Sequence, residues 1–401
     1  MSELALDIVV AQVLARNPSL AEMTAAWEAA QARYPQVTSL DEPMFGAMIA
    51  PASIGSSNVD FGYRLEVSQK LPWPGKRETR GRSALALASA AGNDVDDMRL
   101  QLVESAMIAF HDYYLADRAI NVNRENLKLL KELREQAKTR YERKLVPQQD
   151  MLQADVEVGR QQEHELTLER MKNVAVARLN TLMHLPPDNV LPPPPERLAL
   201  GPPLPGASQL RELALSQRPD LQALSNRLAA DQAALRLACQ ERRPDLEVMA
   251  AYDTIMGNGP MRDLAPQVGV RLNLPVREAR REGAIAEAQS QLAKRRAELE
   301  ARIDQVNLEV QEAYEQVTES EQIVRLYEKT ILPAARDNID AARSAYEKGL
   351  IPFVSLIEAQ RNQVMLLERS YEANADYGRR RATLERVVGG PSLLLSATQE
   401  K

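Results

Sequence analysis

The sequence YERKLVPQQDMLQA, residues 141–154, returns with changes as YEKGLIPFVSLIEA, residues 346–359, at an offset of 205 positions (346 minus 141). The similarity continues upstream of this pair. ARNPSL at 15–20 matches SQRPDL at 216–221, and EVSQKLPWPGKR at 66–77 matches GVRLNLPVREAR at 269–280. An internal repeat of this length indicates two copies of one structural plan.

The repeat divides the chain into segments. We predict a first structural repeat over 1–184, a Pro-rich linker over 185–207, a second repeat over 208–390 and a C-terminal tail over 391–401. Each repeat is predicted to contain an opening helix, two strands, a long helix and a return helix. In the first repeat these are helix 3–33, strands 36–50 and 59–72, long helix 77–143 and return helix 148–184. In the second they are helix 208–242, strands 245–257 and 266–276, long helix 278–347 and return helix 354–387.

The second long helix carries a heptad pattern. Apolar residues recur at alternating spacings of four and three from Leu299 to Ile331, interrupted only by Ser320. Such a seam predicts left-handed supercoiling against neighbouring helices. Pro333 lies further along this helix and is expected to kink it. Aromatic residues make up 4% of the 401 residues and the net charge is −6. This composition is typical of helices packed through Ala and Leu, and it gives no support to a nucleic-acid-binding protein.

The segments between the helices alternate with period two. From Val59 to Val67 the odd-numbered residues are apolar and the even-numbered ones are polar or Gly. A length of about ten residues suits a tilted membrane strand with lipid on one face and water on the other. The segment within 36–50 is the weakest, because Pro43 interrupts it. The pattern also fits a small half-buried sheet in a soluble protein.

Four strands cannot close a barrel by themselves. In lipid, an open sheet edge would leave backbone N–H and C=O groups without hydrogen bonds. Three chains would supply twelve strands, an even number within the range of known membrane barrels. The membrane interpretation therefore requires a homotrimer. The alternative interpretation, a soluble coiled-coil scaffold or interaction protein, does not.

Three stretches resemble the TolC-like outer-membrane efflux protein family, in particular its metal-efflux, CzcC/CusC-like branch. LPWPGKR (71–77) is similar to a strand-to-helix junction, ILPAAR (331–336) to a late motif of the long helix, and YEKGLIPFVSLIEAQR (346–361) to the turn before the return helix. The resemblance covers about residues 3–390. It implies a mainly α fold with a small β part. Long duplicated coiled-coil helices would form a trimeric α-barrel, and four strands per protomer would contribute to a twelve-stranded transmembrane β-barrel.

The resemblance also implies a function. Such a trimer is a passive duct of a tripartite efflux system, not an enzyme, and needs no cofactor. Its partners would be a periplasmic adaptor (membrane fusion) protein, an inner-membrane pump such as a resistance-nodulation-division transporter, and outer-membrane lipid. The expected location is the bacterial outer membrane with a large periplasmic portion. Met1 is not followed by a signal-peptide pattern, so we expect a trimmed or incomplete N-terminus. The branch favours metal cations as cargo.

The two helix turns, 144–150 and 349–355, are the expected periplasmic tip. The resemblance places four residues at a periplasmic aperture: Asp150, Gln153, Ser355 and Glu358. Carboxylate rings made by Asp150 and Glu358 would favour cations, although each acid could simply complement a helix dipole. Candidates for holding the tip shut, or for solvated charges at a turn, are Arg140, Tyr141, Arg143, Tyr346 and Lys348. Candidates for contacting the adaptor, or for local packing, are Leu145, Val146, Gly349, Leu350 and Ile351.

Few other residues suggest a site. Trp73 stands between two prolines at a strand end, where it suits a membrane interface or could fill the strand-to-helix corner. His111, His164 and His184 are widely spaced and are expected to be structural or exposed, so we predict no metal site. The sequence contains no catalytic motif that we recognise.

Overall fold

A computed structural model of the protein describes residues 3–55, 62–144, 146–253 and 266–390. The chain forms two compact units. Unit 1 comprises Met1–Glu22, Val95–Pro219 and Ile303–Lys401, and unit 2 comprises Met23–Asp94 and Asp220–Arg302. Each unit takes segments from both halves of the sequence. The compact units therefore cross the repeat boundary, and the division at 184 and 208 stays a prediction.

The described elements occur in the same order in both halves. The first half contains α1 (Leu6–Arg16), α2 (Pro18–Thr38), β1 (Met44–Ile49), β2 (Tyr63–Leu71), α3 (Lys76–Glu142) and α4 (Gln148–Leu182). The second contains α5 (Ala207–Gln217), α6 (Pro219–Gln240), β3 (Leu246–Asp253), β4 (Gln267–Leu272), α7 (Glu278–Leu326), α8 (Leu332–Glu347) and α9 (Phe353–Val388). A π-helical turn, Tyr327–Ile331, joins α7 to α8. The predicted mainly α fold with a small sheet is confirmed.

Each predicted opening helix is two helices. The breaks fall at Asn17 and Arg218, whose backbones are extended, with ψ of 123° and 121°. Both residues precede a proline that starts the next helix, and a proline ring disfavours the helical conformation of the residue before it. The prediction of a single helix over 3–33 and over 208–242 was therefore wrong, and the two prolines in the sequence are the reason.

The strands are shorter than predicted. Residues 36–38 belong to helix α2, and the first strand begins only at Met44, directly after Pro43. The last strand ends at Leu272, opposite Leu246, where its partner strand begins. Pro275 has no N–H with which the ladder could continue to 276. Residues 59–61 and 254–257 of the other two predicted strands lie outside the described residues.

Unit 2 contains the sheet, which is antiparallel in the order β1-β2-β3-β4. Polar side chains of one face contact each other: Ser68 Oγ donates to Glu247 at 2.8 Å, and Arg271 Nη1 lies 3.1 Å from the same carboxylate. The apolar side chains of β1 and β4 are exposed, with Phe45 at 69% and Val268 at 78%. Within the described residues, β1 and β4 each have one unpaired edge.

Unit 1 is built from the long helices. Residues of α1, α3 and α4 share one apolar core that includes Val9, Val13, Phe110, Tyr113 and Leu179. A second apolar cluster lies nearer the two helix turns. None of the described helices is long and apolar enough to cross a membrane.

Candidate functional site: the two helix turns

The turns that join α3 to α4 and α8 to α9 are similar. In the first, Lys144 has a left-handed backbone (φ 59°); in the second, Gly349 does (φ 72°). The Leu350 N–H donates to the Ala345 carbonyl at 2.9 Å and closes the end of α8. A proline, Pro147 or Pro352, then precedes each returning helix.

An aromatic contact links the two turns within unit 1. The Arg140 guanidinium of α3 lies 4.9 Å from the centre of the Tyr346 ring, which is buried. The Tyr346 ring lies 5.6 Å from the Phe353 ring at the start of α9. Of the predicted tip residues, the structure thus brings Arg140 and Tyr346 together, whereas Tyr141, Arg143 and Lys348 are exposed.

The four predicted aperture residues lie in the first two turns of α4 and α9. Asp150, Gln153 and Ser355 are half-buried, and Glu358 is exposed. Partial burial raises the pKa of the Asp150 carboxyl above its ordinary value. The assignment of these residues to an aperture stays a prediction, because it concerns faces that meet only in an assembly.

The predicted adaptor-contact residues differ in exposure. Leu350 is 73% exposed. Val146 and Ile351 are half-buried, and Ile351 packs against the apolar cluster below the turn. Gly349 is exposed and supplies the left-handed backbone. Leu145 lies outside the described residues.

Polar contacts between α4 and α9 were not predicted from the sequence. Arg361 Nε donates to Glu157 Oε2 at 2.8 Å, and His164 Nε2 lies 3.3 Å from Glu368 Oε1. Both pairs are 204 residues apart, one less than the sequence repeat (361 minus 157; 368 minus 164). Near-equivalent positions of the two return helices therefore meet, and the repeat offset was the signal that could have revealed these pairs.

The contacts of Glu157 with Arg361 and of His164 with Glu368 form a polar layer between α4 and α9. Its charged groups are partly withdrawn from water. Burial raises the pKa of Glu368, and the nearby His164 offsets part of that effect. Glu157 is 5% exposed and is held by Arg361. Gln360 Nε2 also donates to Asn126 of α3 at 3.1 Å. The layer thus joins three helices through polar groups.

The histidines have structural surroundings. His164 belongs to the polar layer, and His184 is exposed after α4 with a left-handed backbone. Burial lowers the pKa of His111 to about 4, and the charge of Arg379 acts in the same direction. No group of three His, Cys, Asp or Glu side chains suited to a metal ion occurs in the part of the chain that the structure describes.

Trp73 lies at the junction between the sheet and α3 in unit 2. Its backbone N–H donates to Asp245 Oδ1 at 2.9 Å, and the Arg243 guanidinium lies 5.8 Å from the ring centre. The buried Lys76 ammonium lies 2.9 Å from the same Oδ1. Trp73 is half-buried at this corner, and its contact with a membrane interface stays a prediction.

Solved membrane proteins share this fold, among them the outer-membrane channel OprN. A membrane protein from Pseudomonas aeruginosa superimposes with a TM-score of 0.82 at 19% identity, covering 97% of this chain and 92% of that one. The outer membrane protein VceC of Vibrio cholerae does so at 0.80 and 17%, covering 96% of both chains. The outer-membrane channel OprN gives 0.80 and 20%, covering 96% and 90%. No curated protein sequence matches the chain.

These similarities define the fold class as that of TolC-like channels. Residues 210–390 match the family model described as Outer membrane efflux protein. The match covers somewhat less than half of the 401 residues, so it shows a similarity to this family. Its members are trimeric outer-membrane ducts of tripartite efflux systems, work with adaptor and inner-membrane pump partners, and are passive channels instead of enzymes.

Proposed function

We propose that three copies of this chain close a twelve-stranded barrel through their sheet edges and a helical duct through their long helices. The observation that carries the proposal is the four-stranded sheet, which has two open edges within the described part of the chain and an exposed apolar surface. Pairing β4 of one protomer with β1 of the next would supply the missing backbone hydrogen bonds. A lipid environment makes that pairing obligatory, because unpaired backbone groups there have no water to contact.

Exposed apolar residues on the long helices of unit 1 support the same assembly. On α4, Leu152 and Leu166 lie two heptads apart and are 51% and 69% exposed. On α7, Leu308 and Leu326 lie five helical turns apart and are 58% and 51% exposed. In each pair the two residues lie on about the same face of their helix, where they would pack against a neighbouring protomer.

The two helix turns would form the periplasmic end of this duct. Leu350 and its turn offer an exposed apolar contact for an adaptor, and threefold symmetry would turn Asp150 and Glu358 into rings of carboxylates. Such rings favour cations, in keeping with the resemblance to the metal-efflux branch. A resistance-nodulation-division transporter is the pump that this assignment implies.

The test uses the full chain, purified in detergent and reconstituted into a planar bilayer. We expect a trimer by native mass spectrometry and a cation-selective conductance. Replacing Asp150 and Glu358 together by Asn and Gln should lower the cation selectivity while the trimer persists. A monomer that remains dissolved without detergent would contradict the proposal and would favour the coiled-coil scaffold.

A further inference from the structure

A cavity of about 290 Å³ lies within unit 1, between residues 195–201 of the linker and the helices α1, α3 and α9. Most of its wall is apolar, formed by Leu6, Met107, Phe110, Leu198, Leu200 and Tyr377. Ala199 also lines the cavity and is exposed, so the cavity reaches the protein surface along the linker. An apolar cavity of about 150 Å³ can hold a benzene molecule. This cavity is therefore large enough for a substituted benzene ring.

Arg381 of α9 lines the cavity and has one nitrogen without a partner. Its Nη1 donates to the Tyr377 hydroxyl at 2.9 Å and to the Pro202 carbonyl at 3.2 Å. Its Nε donates to Glu385 Oε1 at 3.3 Å. Among the described residues, no group accepts a hydrogen bond from Nη2, which is buried. A buried N–H without an acceptor is unfavourable, so an oxygen atom brought to Nη2 would bind there.

A second buried nitrogen without a partner belongs to another residue of the same wall. His111 of α3 is 7% exposed, and its Nδ1 makes no hydrogen bond within the part of the chain that the structure describes. The imidazole is neutral at pH 7, because burial lowers the pKa of His111 to about 4. One nitrogen of a neutral imidazole donates and the other accepts. His111 Nδ1 can therefore accept a hydrogen bond while Arg381 donates one.

Both polar groups rest against a glycine. A Cβ at Gly201 of the linker would collide with the Arg381 guanidinium, and a Cβ at Gly378 of α9 would collide with the His111 ring. Neither glycine has a left-handed backbone, so the close approach of these side chains is what requires glycine here. The packing holds the guanidinium and the imidazole at the cavity wall.

The charges around the cavity favour a neutral molecule. Arg381 and Glu385 form an ion pair, and they are 6% and 5% exposed. Their charges compensate each other, and the imidazole adds none. An anion or a cation in the cavity would leave one buried charge uncompensated, which is unfavourable. Asp7, the other acid that lines the cavity, is exposed and would repel an anion further.

We propose that this cavity is a binding site for a small neutral carboxamide with an apolar body. The carbonyl oxygen would accept from Arg381 Nη2, the amide N–H would donate to His111 Nδ1, and the apolar body would fill the rest of the cavity. Both nitrogens are shielded from solvent, so residues 195–201 have to shift slightly for the amide to reach them. That segment contains no helix or strand that would resist the shift. The inference concerns unit 1 alone and does not depend on how the chain assembles.

The test is fluorine NMR with the full chain in detergent. The probe is para-fluorobenzamide, whose signal should broaden when the protein is added. Two matched probes keep the fluorinated ring: para-fluorotoluene has no hydrogen-bonding group, and para-fluorobenzoate is an anion at pH 7. Detergent micelles take up each probe as well. The relevant quantity is therefore the broadening by the wild type minus the broadening by a variant whose cavity is filled.

Met107→Trp fills the cavity with a larger side chain from α3. The matched control is Met171→Trp, at a residue of α4 that is 43% or less buried by the same measure as other surface positions and does not line the cavity. We expect para-fluorobenzamide to bind about tenfold more weakly to Met107→Trp and to Arg381→Lys, which keeps the charge but lacks Nη2. Its binding to Met171→Trp should equal that to the wild type. If circular dichroism shows that Met107→Trp does not fold, Leu198→Trp fills the cavity from the linker.

Three results would overturn the proposal. Equal broadening of para-fluorobenzamide by the wild type and by the filled variant would mean that the cavity takes up water only. If para-fluorotoluene binds to the cavity as tightly as the amide does, Arg381 and His111 contribute nothing to recognition. If para-fluorobenzoate binds more tightly than the amide, the argument from charge is wrong and the site is one for anions.

Discussion

The replacement of Lys76 by Met tests how the sheet of unit 2 is joined to its helices. The Lys76 side chain is fully buried. Its ammonium lies 2.9 Å from Asp245 Oδ1, 3.0 Å from the Arg243 carbonyl and 3.5 Å from Glu241 Oε2. Methionine fills a similar volume but donates no hydrogen bond, so the Asp245 carboxylate would lose its closest cation.

The expected loss of unfolding free energy follows from this burial. Removing one partner of a buried ion pair costs about 3–5 kcal/mol. Asp245 retains the Trp73 N–H, and its side chain is 18% exposed, so the lower limit applies and we expect about 3 kcal/mol. Arg82→Met removes the same charge six residues further along α3. Its ion pair with Glu78 is exposed, and its loss should cost about 0.3–0.5 kcal/mol.

Both tryptophans of the chain, Trp27 and Trp73, lie in unit 2. Their fluorescence during guanidinium unfolding of the detergent-solubilised protein therefore reports on this unit. The double variant Lys76→Met/Asp245→Asn should recover part of the loss, since no unpaired charge remains. If Lys76→Met and Arg82→Met prove equally stable, the reasoning from burial is wrong.

Three further predictions concern unit 1. Burial alone would raise the pKa of Asp117, but hydrogen bonds from Lys172 and Arg118 hold it below its ordinary value. The ionised Asp117 carboxylate therefore adds its full contribution to the free energy of unfolding above about pH 4, and this contribution disappears as the pH falls through the lower pKa of the folded protein. Asp117→Asn should remove this acid-sensitive part of the pH dependence of unfolding. Gly378→Ala would drive a Cβ into the buried ring of His111, and should cost about 2 kcal/mol in thermal unfolding by circular dichroism. Leu166→Glu should weaken each protomer contact by about 2 kcal/mol and reduce the trimer fraction in native mass spectrometry.

Each of these changes has a matched control. Asp96 is an exposed acid on the same helix as Asp117, and Asp96→Asn should leave the acid limb unchanged. A Cβ added at Gly283 would meet nothing within 4 Å, so Gly283→Ala should be neutral or slightly stabilising. Val190 is 89% exposed in the linker, and Val190→Glu should keep the trimer. A control that behaves like its test variant would refute the corresponding prediction.

The candidate site was predicted unevenly from the sequence. The positions of the two turns could be predicted from the repeated motif and from Pro147 and Pro352, because the effect of a proline is on the backbone next to it and needs no distant partner. Arg140 and Tyr346 were named as tip residues, but their contact depends on α3 and α8 lying side by side. The pairs of the polar layer, such as Glu157 with Arg361, join helices about 200 residues apart in the sequence. Nothing in the local sequence of either helix indicates that partner.

The sequence by itself determined the duplicated order of elements, the long helices and the alternating strands, since periodicity and turn residues act over a few positions. Only the tertiary structure decided where the burial falls. The repeat of seven through Val310, Val317 and Val324 predicts a buried seam through 338 and 345, but the π-helical turn before Pro333 moves it to Ile339 and Tyr346. The place where a helix takes up an added residue depends on packing against neighbouring helices, and a single helix's own sequence does not contain that information.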